Sequence, residues 1–152
     1  FTKTTIQELR DTVWAMNQSQ MTFEDIQVRI LRFTENLAWN EELSLEIEVD
    51  PELENLTLGS FQGISIYRIL QESLNNALKH AQASVISAKV KRNPEGVQIT
   101  IEDNGKGFEP TTASGNGLSH LKARVQELGG SISFHSGLGK GTRIELSIPL
   151  QS

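Results

Sequence analysis

The chain has 152 residues, 37% hydrophobic and 22% charged, which suits one compact domain with a core of its own. It contains no Cys, which excludes disulfides, thiolate metal sites and cysteine nucleophiles, and its three His form no zinc-binding motif. Its 14 basic and 19 acidic residues leave a net charge of −5, which argues against nucleic acid as a partner.

No apolar run approaches the roughly 18 residues of a membrane helix, and no signal-peptide pattern opens the chain. It opens on Phe1 rather than Met, which points to a piece of a longer polypeptide.

In chain order, a first helix is predicted from Thr4 to Asn17, with Ile6, Leu9, Val13 and Met16 at helical spacing and Trp14 beside them. After a polar break at 17–20, Thr22 followed by Asp25 marks a helix start. From there Phe23, Ile26, Ile30, Phe33 and Leu37 form one apolar stripe. Leu45, Ile47 and Val49 alternate with Glu46 and Glu48, the pattern of a half-covered strand over 44–49, and Asp50-Pro51 ends it.

A third helix is predicted from about Leu58 to Ala81. Strands over 85–92 and 97–102 follow, joined by a hairpin-type loop at Asn93-Pro94-Glu95-Gly96. The Gly-rich stretch 103–117 reads as a long loop, and long loops in compact domains are usually functional or disordered. A helix over 117–128 stops at Gly129-Gly130, and strands over 131–135 and 142–148 flank a turn at 137–141. The order implies an α+β fold, a two-layer sandwich of helices on a mixed sheet.

Polar chemistry gathers on the third helix. At about 100° per residue, Asn76, Lys79 and His80 fall within about 80° of Glu72, while Leu70, Leu74, Ala77, Leu78 and Ala81 fall opposite. This is either a solvated face or a polyphosphate site. Asn disfavours helix interiors, and two stand together at Asn75 and Asn76. An Asn oxygen suits Mg²⁺, Lys79 suits phosphate, and Glu72 suits proton transfer or alignment of a nucleophile.

Asp103-Asn104-Gly105-Lys106-Gly107 follows a strand, as either a tight turn or a carboxylate placed for an exocyclic amine, with glycines that admit a flat ring. Gly115-Asn116-Gly117-Leu118 precedes a helix, where free N–H groups can bind an anion, or else it merely ends the loop. It is neither a Walker A motif nor a Rossmann fingerprint. Gly139-Lys140-Gly141-Thr142 is by itself a hairpin turn.

Taken in order, Glu72-x3-Asn76-Ala77-x-Lys79-His80-Ala81, Asp103-Asn104-Gly105-x-Gly107-Phe108, Gly115-x-Gly117-Leu118 and Gly141-Thr142 resemble the ATP-binding catalytic domain of sensor histidine kinases. That domain belongs to the Bergerat-fold superfamily, which also holds type II topoisomerase ATPase domains and chaperone and mismatch-repair ATPases. The resemblance covers about 40–150. The nine-residue loop Phe108–Asn116 looks like that of the short-lid subfamily, which includes the nitrate-sensing and membrane-fluidity-sensing kinases.

The resemblance implies ATP and Mg²⁺ as cofactors, with Asn76 holding Mg²⁺ and Glu72 as the catalytic carboxylate. It places Lys79 and His80 at phosphates, Asp103 on the adenine amine with Gly105 in its box, Gly107 behind the ring and Thr142 assisting through water. It assigns Gly115, Gly117 and Leu118 to the lid's end and the phosphates. Phosphoryl transfer works chiefly by positioning and charge neutralisation, so these roles suffice chemically.

Residues 1–20, with Leu9-Arg10-Asp11 and Trp14, resemble the end of a dimerisation helix and its linker, which leaves 21–152 as the catalytic domain. In this subfamily an acidic residue follows the phospho-accepting His, but Ala81, Leu121 and Ser136 follow His80, His120 and His135. The acceptor is therefore expected elsewhere, and His120 and His135 are expected to be ordinary surface or strand-end residues.

The implied activity is transfer of the ATP γ-phosphoryl group to a His of an absent dimerisation domain, for relay to a response-regulator Asp. The alternatives are an anti-sigma-type serine kinase or a nucleotide-sensing module without transfer activity. A homodimeric parent, a monomeric fragment, a cytoplasmic location with the parent's anchoring open, and a lid that orders when phosphate arrives complete the expectations.

Overall fold

In the computed structural model the described residues are 2–17, 20–37, 44–79, 84–106, 118–137 and 139–150. Helix α1 spans Lys3–Met16 and α2 spans Phe23–Leu37. Thr22 and Asp25 cap α2 reciprocally: the Thr22 N–H donates to Asp25 Oδ2 at 2.9 Å and the Asp25 N–H to Thr22 Oγ1 at 3.2 Å. The predicted stripe follows, with Phe23, Ile26 and Ile30 buried and Phe33 half-buried.

Among the described residues the main sheet has five strands, in the order β2-β4-β5-β7-β6. They are β2 (Ser44–Val49), β4 (Val85–Arg92), β5 (Gly96–Asp103), β7 (Thr142–Pro149) and β6 (Ser131–Ser136). Only β2 and β4 run parallel, so the sheet is mixed, as expected from the element order. Alternation puts Ile86, Ala88, Val90, Val97, Ile99, Ile101, Ile144, Leu146 and Ile148 on one buried face, against α2, α3 (Ser60–Lys79) and α4 (Leu118–Glu127). The other face carries paired charges such as Glu48 opposite Lys89 and Glu102 opposite Arg143, and it is solvated.

The local signals hold at the element ends. Asp50 caps a short 3₁₀ turn, Pro51–Leu53, by accepting from the Glu52 N–H at 3.1 Å. Asn93 closes the β4–β5 hairpin with its side chain on the N–H groups of Glu95 and Gly96. Gly129, at φ 74°, ends α4, and Gly129 and Gly130 donate back to Gln126 and Val125 in a Schellman arrangement.

One expectation changes. The third helix begins at Ser60 rather than Leu58, because Leu58–Gly59 forms a short strand, β3, paired antiparallel with β1 (Gln20–Met21). Met21 is buried there against Gly63, where a Cβ would strike its sulfur. Helix α1 turns its apolar stripe outward. Its apolar residues Ile6, Leu9, Val13 and Met16 are 41–78% exposed, and the opposite side faces inward.

That inward side is polar and aromatic. Asp11 is fully buried, with Oδ1 3.1 Å from Arg29 of α2 and Oδ2 accepting from Gln71 of α3 at 3.5 Å. Arg29 lies over the Trp14 ring at 4.8 Å, Trp14 meets Tyr67 edge-on at 6.4 Å, and Arg68 donates to Thr12 Oγ1 at 2.8 Å. Burial, and then the Asp11 carboxylate, pushes the Tyr67 phenol far above its ordinary range, so it stays protonated and donates to Asp11.

Candidate functional site

The end of β5 delivers Asp103, half-buried, to the edge of the core. Burial pushes its carboxyl above the usual carboxylate range, while hydrogen bonds from the Gly105 and Thr142 N–H groups pull it back. The Gly105 bond to Oδ1 is 2.8 Å long, and Gly105 is itself buried. Gly141 must be glycine twice over: its φ is 75°, and a Cβ would strike the Asp103 carbonyl. Thr142 is buried opposite Asp103 in the ladder. The Gly139 N–H also donates to the Lys106 carbonyl, joining the two glycine boxes across space.

Two residues given no role by the sequence build this corner. Asn104 accepts from the N–H groups of Ser84 and Val85 at 2.9 Å each, tying the start of β4 to the end of β5. Ser136 donates to the Gly141 carbonyl at 2.9 Å and sits 3.1 Å from Thr142 Oγ1. Asn104 was visible as part of the box, but its bond partners lie 19 and 20 residues back. Ser136 carried no sequence signal.

Helix α3 supplies the second set. Leu70, Leu74 and Ala77 are buried as expected, and Leu70 and Leu74 pack beside Ala88 and Ile101. This seats the C-terminal half of α3 over the part of β4 and β5 that leads to Asp103. Glu72 and Asn76, one turn apart, are half-buried. Glu72 faces α4: Oε1 is 3.6 Å from His120 Nδ1, and Oε2 is 3.6 Å from Arg124 Nε. Asn76 Nδ2 is buried and has no hydrogen-bond partner among the described residues.

An orphaned amide is unusual, since most buried polar groups are paired. Among the described residues no cluster of three or more acidic, His or Cys side chains could cage a metal ion. One Asn oxygen near one carboxylate nevertheless fits Mg²⁺, which keeps water and takes phosphate oxygens as further ligands.

Of the other predicted site residues, Lys79 closes α3 and Leu118 opens α4, by backbone position alone. His80, Gly107, Gly115 and Gly117, and the expected lid Phe108–Asn116, lie outside the described residues, as does Ala81. His120 is exposed, as expected, and His135 stands near the end of β6, 3.8 Å from Glu145. The structure therefore brings Asp103, Gly105 and Thr142 together at one corner and Glu72 and Asn76 together on one helix face.

Similarity to known proteins agrees with this geometry. Residues 62–152 match the family model described as histidine kinase-, DNA gyrase B- and HSP90-like ATPase. The chain is 40% identical over 88 residues to the sensor histidine kinase YxjM of Bacillus subtilis, covering 58% of this chain and 21% of that protein. It is 32% identical over 117 residues to the histidine-protein kinase/phosphatase DegS of the same organism, covering 74% of this chain and 30% of that one. The chain thus spans less than a third of these relatives. The ATP-binding domain of PrrB from Mycobacterium tuberculosis shares the fold at a TM-score of 0.68 and 21% identity, over 88% of this chain and 97% of that one. With more than half its length matched to the family model, the chain belongs to the histidine kinase-, DNA gyrase B- and HSP90-like ATPases, as an ATP-binding catalytic domain of the Bergerat fold.

Proposed function

We propose that this domain serves a two-component sensor histidine kinase and passes the γ-phosphoryl group of ATP to a His outside this chain, for relay to a response-regulator Asp. The nucleotide reading rests on Asp103, a half-buried carboxylate held by two backbone N–H groups in a glycine-lined corner. The kinase reading is supported by relatives that are themselves sensor histidine kinases.

In this reading Asp103 accepts from the adenine amine, and the N–H groups of Gly105 and Thr142 keep it oriented as an acceptor. Gly107 backs the ring, and Thr142 assists through water. Asn76 offers its oxygen to Mg²⁺, which when bound neutralises phosphate charge. Lys79, His80, Gly115, Gly117 and Leu118 meet the phosphates or anchor the lid. Glu72 aligns the attacking imidazole or takes its proton. Residues 1–20 are the end of a dimerisation helix and linker, and the exposed Ile6-Leu9-Val13-Met16 seam, with its coiled-coil spacing, supports that assignment.

The partners are then the phosphoacceptor domain of the same kinase, in a homodimeric parent, and a response regulator. No helix among the described residues is long and apolar enough to cross a membrane, and the domain is assigned to the cytoplasmic side of its parent.

Labelling the full-length protein with γ-labelled ATP tests the proposal. Acid-labile, base-stable phosphate on a His outside residues 1–152 is expected. Acid-stable phosphoserine on an added partner would move the assignment to a serine kinase, and nucleotide binding without any transfer would leave a sensing module.

A further inference from the structure

We infer that Arg124, seconded by His120, is a positioning residue that fixes the orientation of the Glu72 carboxylate. The inference rests on the reading of Glu72 as the catalytic carboxylate, and it adds a function for α4 that the motif residues do not carry.

The geometry is specific. His120 and Arg124 stand one turn apart on α4, so their side chains share a face. Each takes a different oxygen of Glu72: His120 Nδ1 lies 3.6 Å from Oε1 and Arg124 Nε lies 3.6 Å from Oε2. At 3.6 Å these are charge approaches longer than hydrogen bonds, the His120 one an ion pair only when that His is protonated, and, one on each oxygen, they favour one setting of the last Glu torsion, where a free carboxylate turns readily.

The helix behind the bracket is itself fixed. Leu121 and Val125, each next in sequence to a bracketing residue, are fully buried, and the Schellman arrangement at Gly129-Gly130 closes the far end. The bracket therefore stands on the rigid layer of the fold.

Stability does not account for the arrangement. The side chains of His120, Arg124 and Glu72 are 76%, 38% and 24% exposed, and pairs so exposed stabilise folded proteins little. Orientation is what they supply. A carboxylate that aligns a nucleophile or receives its proton acts through geometry, and small misplacements there cost rate rather than fold. Because α4 begins at Leu118, directly after the Gly115-x-Gly117 segment, the helix that brackets Glu72 also continues from the segment read as contacting phosphate.

The test uses the full-length protein and compares wild type, Glu72→Gln, Arg124→Gln, Arg124→Lys, His120→Gln and the Glu72→Gln/Arg124→Gln double variant. ADP affinity, thermal midpoint, and kcat and KM for ATP-dependent phosphorylation are measured for each. Arg124→Gln is expected to lower kcat about tenfold, with KM, ADP affinity and midpoint nearly unchanged. Arg124→Lys, which keeps the charge, should recover most of the loss, and His120→Gln should show a smaller loss of the same kind. The double variant should fall no further than Glu72→Gln alone.

Unchanged kcat in Arg124→Gln, with Glu72→Gln inactive, would overturn the inference and leave Glu72 catalytic. Weakened ADP binding with unchanged kcat would make Arg124 a nucleotide ligand instead, and full additivity in the double variant would overturn the coupling. If Glu72→Gln kept normal kcat, the reading of Glu72 itself would fail.

Discussion

Helix α3 carries two polar faces, and they are built in opposite ways. Tyr67 and Gln71 point to α1, where they join Asp11, Arg29 and Trp14 in a network closed around Asp11: this fully buried carboxylate receives Arg29, Gln71 and the Tyr67 phenol, while Arg29 Nε is itself buried with no hydrogen-bond partner among the described residues. Glu72 and Asn76, next along the same helix, point elsewhere and are both only half-buried. Glu72 meets His120 and Arg124 of α4 at 3.6 Å each, and Asn76 has a buried amide nitrogen with no hydrogen-bond partner among the described residues. A buried carboxylate with three donors in the fold locks an interface, whereas half-buried Glu72 and Asn76 keep part of their surface open to a ligand.

The difference can be broken from either side. On the closed side, Asp11→Ala leaves Arg29 and the Tyr67 phenol facing an emptied buried position, and a loss of about 3 kcal/mol in unfolding free energy is expected from denaturant titration. Its effect on nucleotide affinity should be minor, since none of the proposed ligand contacts involves it.

On the open side the order reverses. Asp103→Asn replaces the acceptor read as meeting adenine with an amide that can present the wrong group, and ADP affinity should fall at least about tenfold by calorimetry. The same change removes a charge that burial disfavours, so the empty protein should be no less stable than wild type at neutral pH.

The sign of that effect follows from the raised Asp103 carboxyl. A group titrating higher when folded contributes stability below its unfolded pKa and loses it as pH rises through the folded value. The stability gap between Asp103→Asn and wild type should therefore narrow as pH falls through the carboxylate range. Thermal melts at several pH values would show it, and a gap that widened toward acid would contradict the assignment.

A smaller effect sharpens the closed side. Tyr67→Phe keeps the ring against Trp14 and removes the hydroxyl that donates to Asp11 and accepts from Gln71 Nε2 at 3.4 Å, so about 1 kcal/mol of destabilisation is expected. A neutral result in melts would show that Arg29 and Gln71 satisfy Asp11 without the phenol.

Much of this was legible in the sequence because it is local. The Thr22–Asp25 cap, the Asn93 hairpin, the Gly129-Gly130 stop and the alternation in β4, β5 and β7 each depend on residues a few positions apart. Asp103 was legible as a carboxylate at a strand's end, and Glu72 and Asn76 as one face of a helix.

What escaped depends on distance along the chain. Nothing in the sequence marks Asp11 as buried, since its partners Arg29 and Gln71 lie 18 and 60 residues away. The same cluster is the side that α1 buries, with its apolar stripe left outward. The β1–β3 ladder, two residues on each side, is too short to show periodicity, and it moved the start of α3. The bracket on Glu72 from α4 needed the packing of two helices that share no motif.

The central claim is that the corner at Asp103 and the open face of α3 form one Mg²⁺-dependent nucleotide site. Calorimetric titration with ADP, with and without Mg²⁺, of wild type, Asp103→Asn and Asn76→Ala tests it most directly. Saturable wild-type binding strengthened by Mg²⁺, abolished or strongly weakened in Asp103→Asn, and insensitive to Mg²⁺ in Asn76→Ala is the predicted result. A folded wild-type chain that binds no nucleotide, or an Asn76→Ala variant with an undiminished Mg²⁺ response, would contradict it.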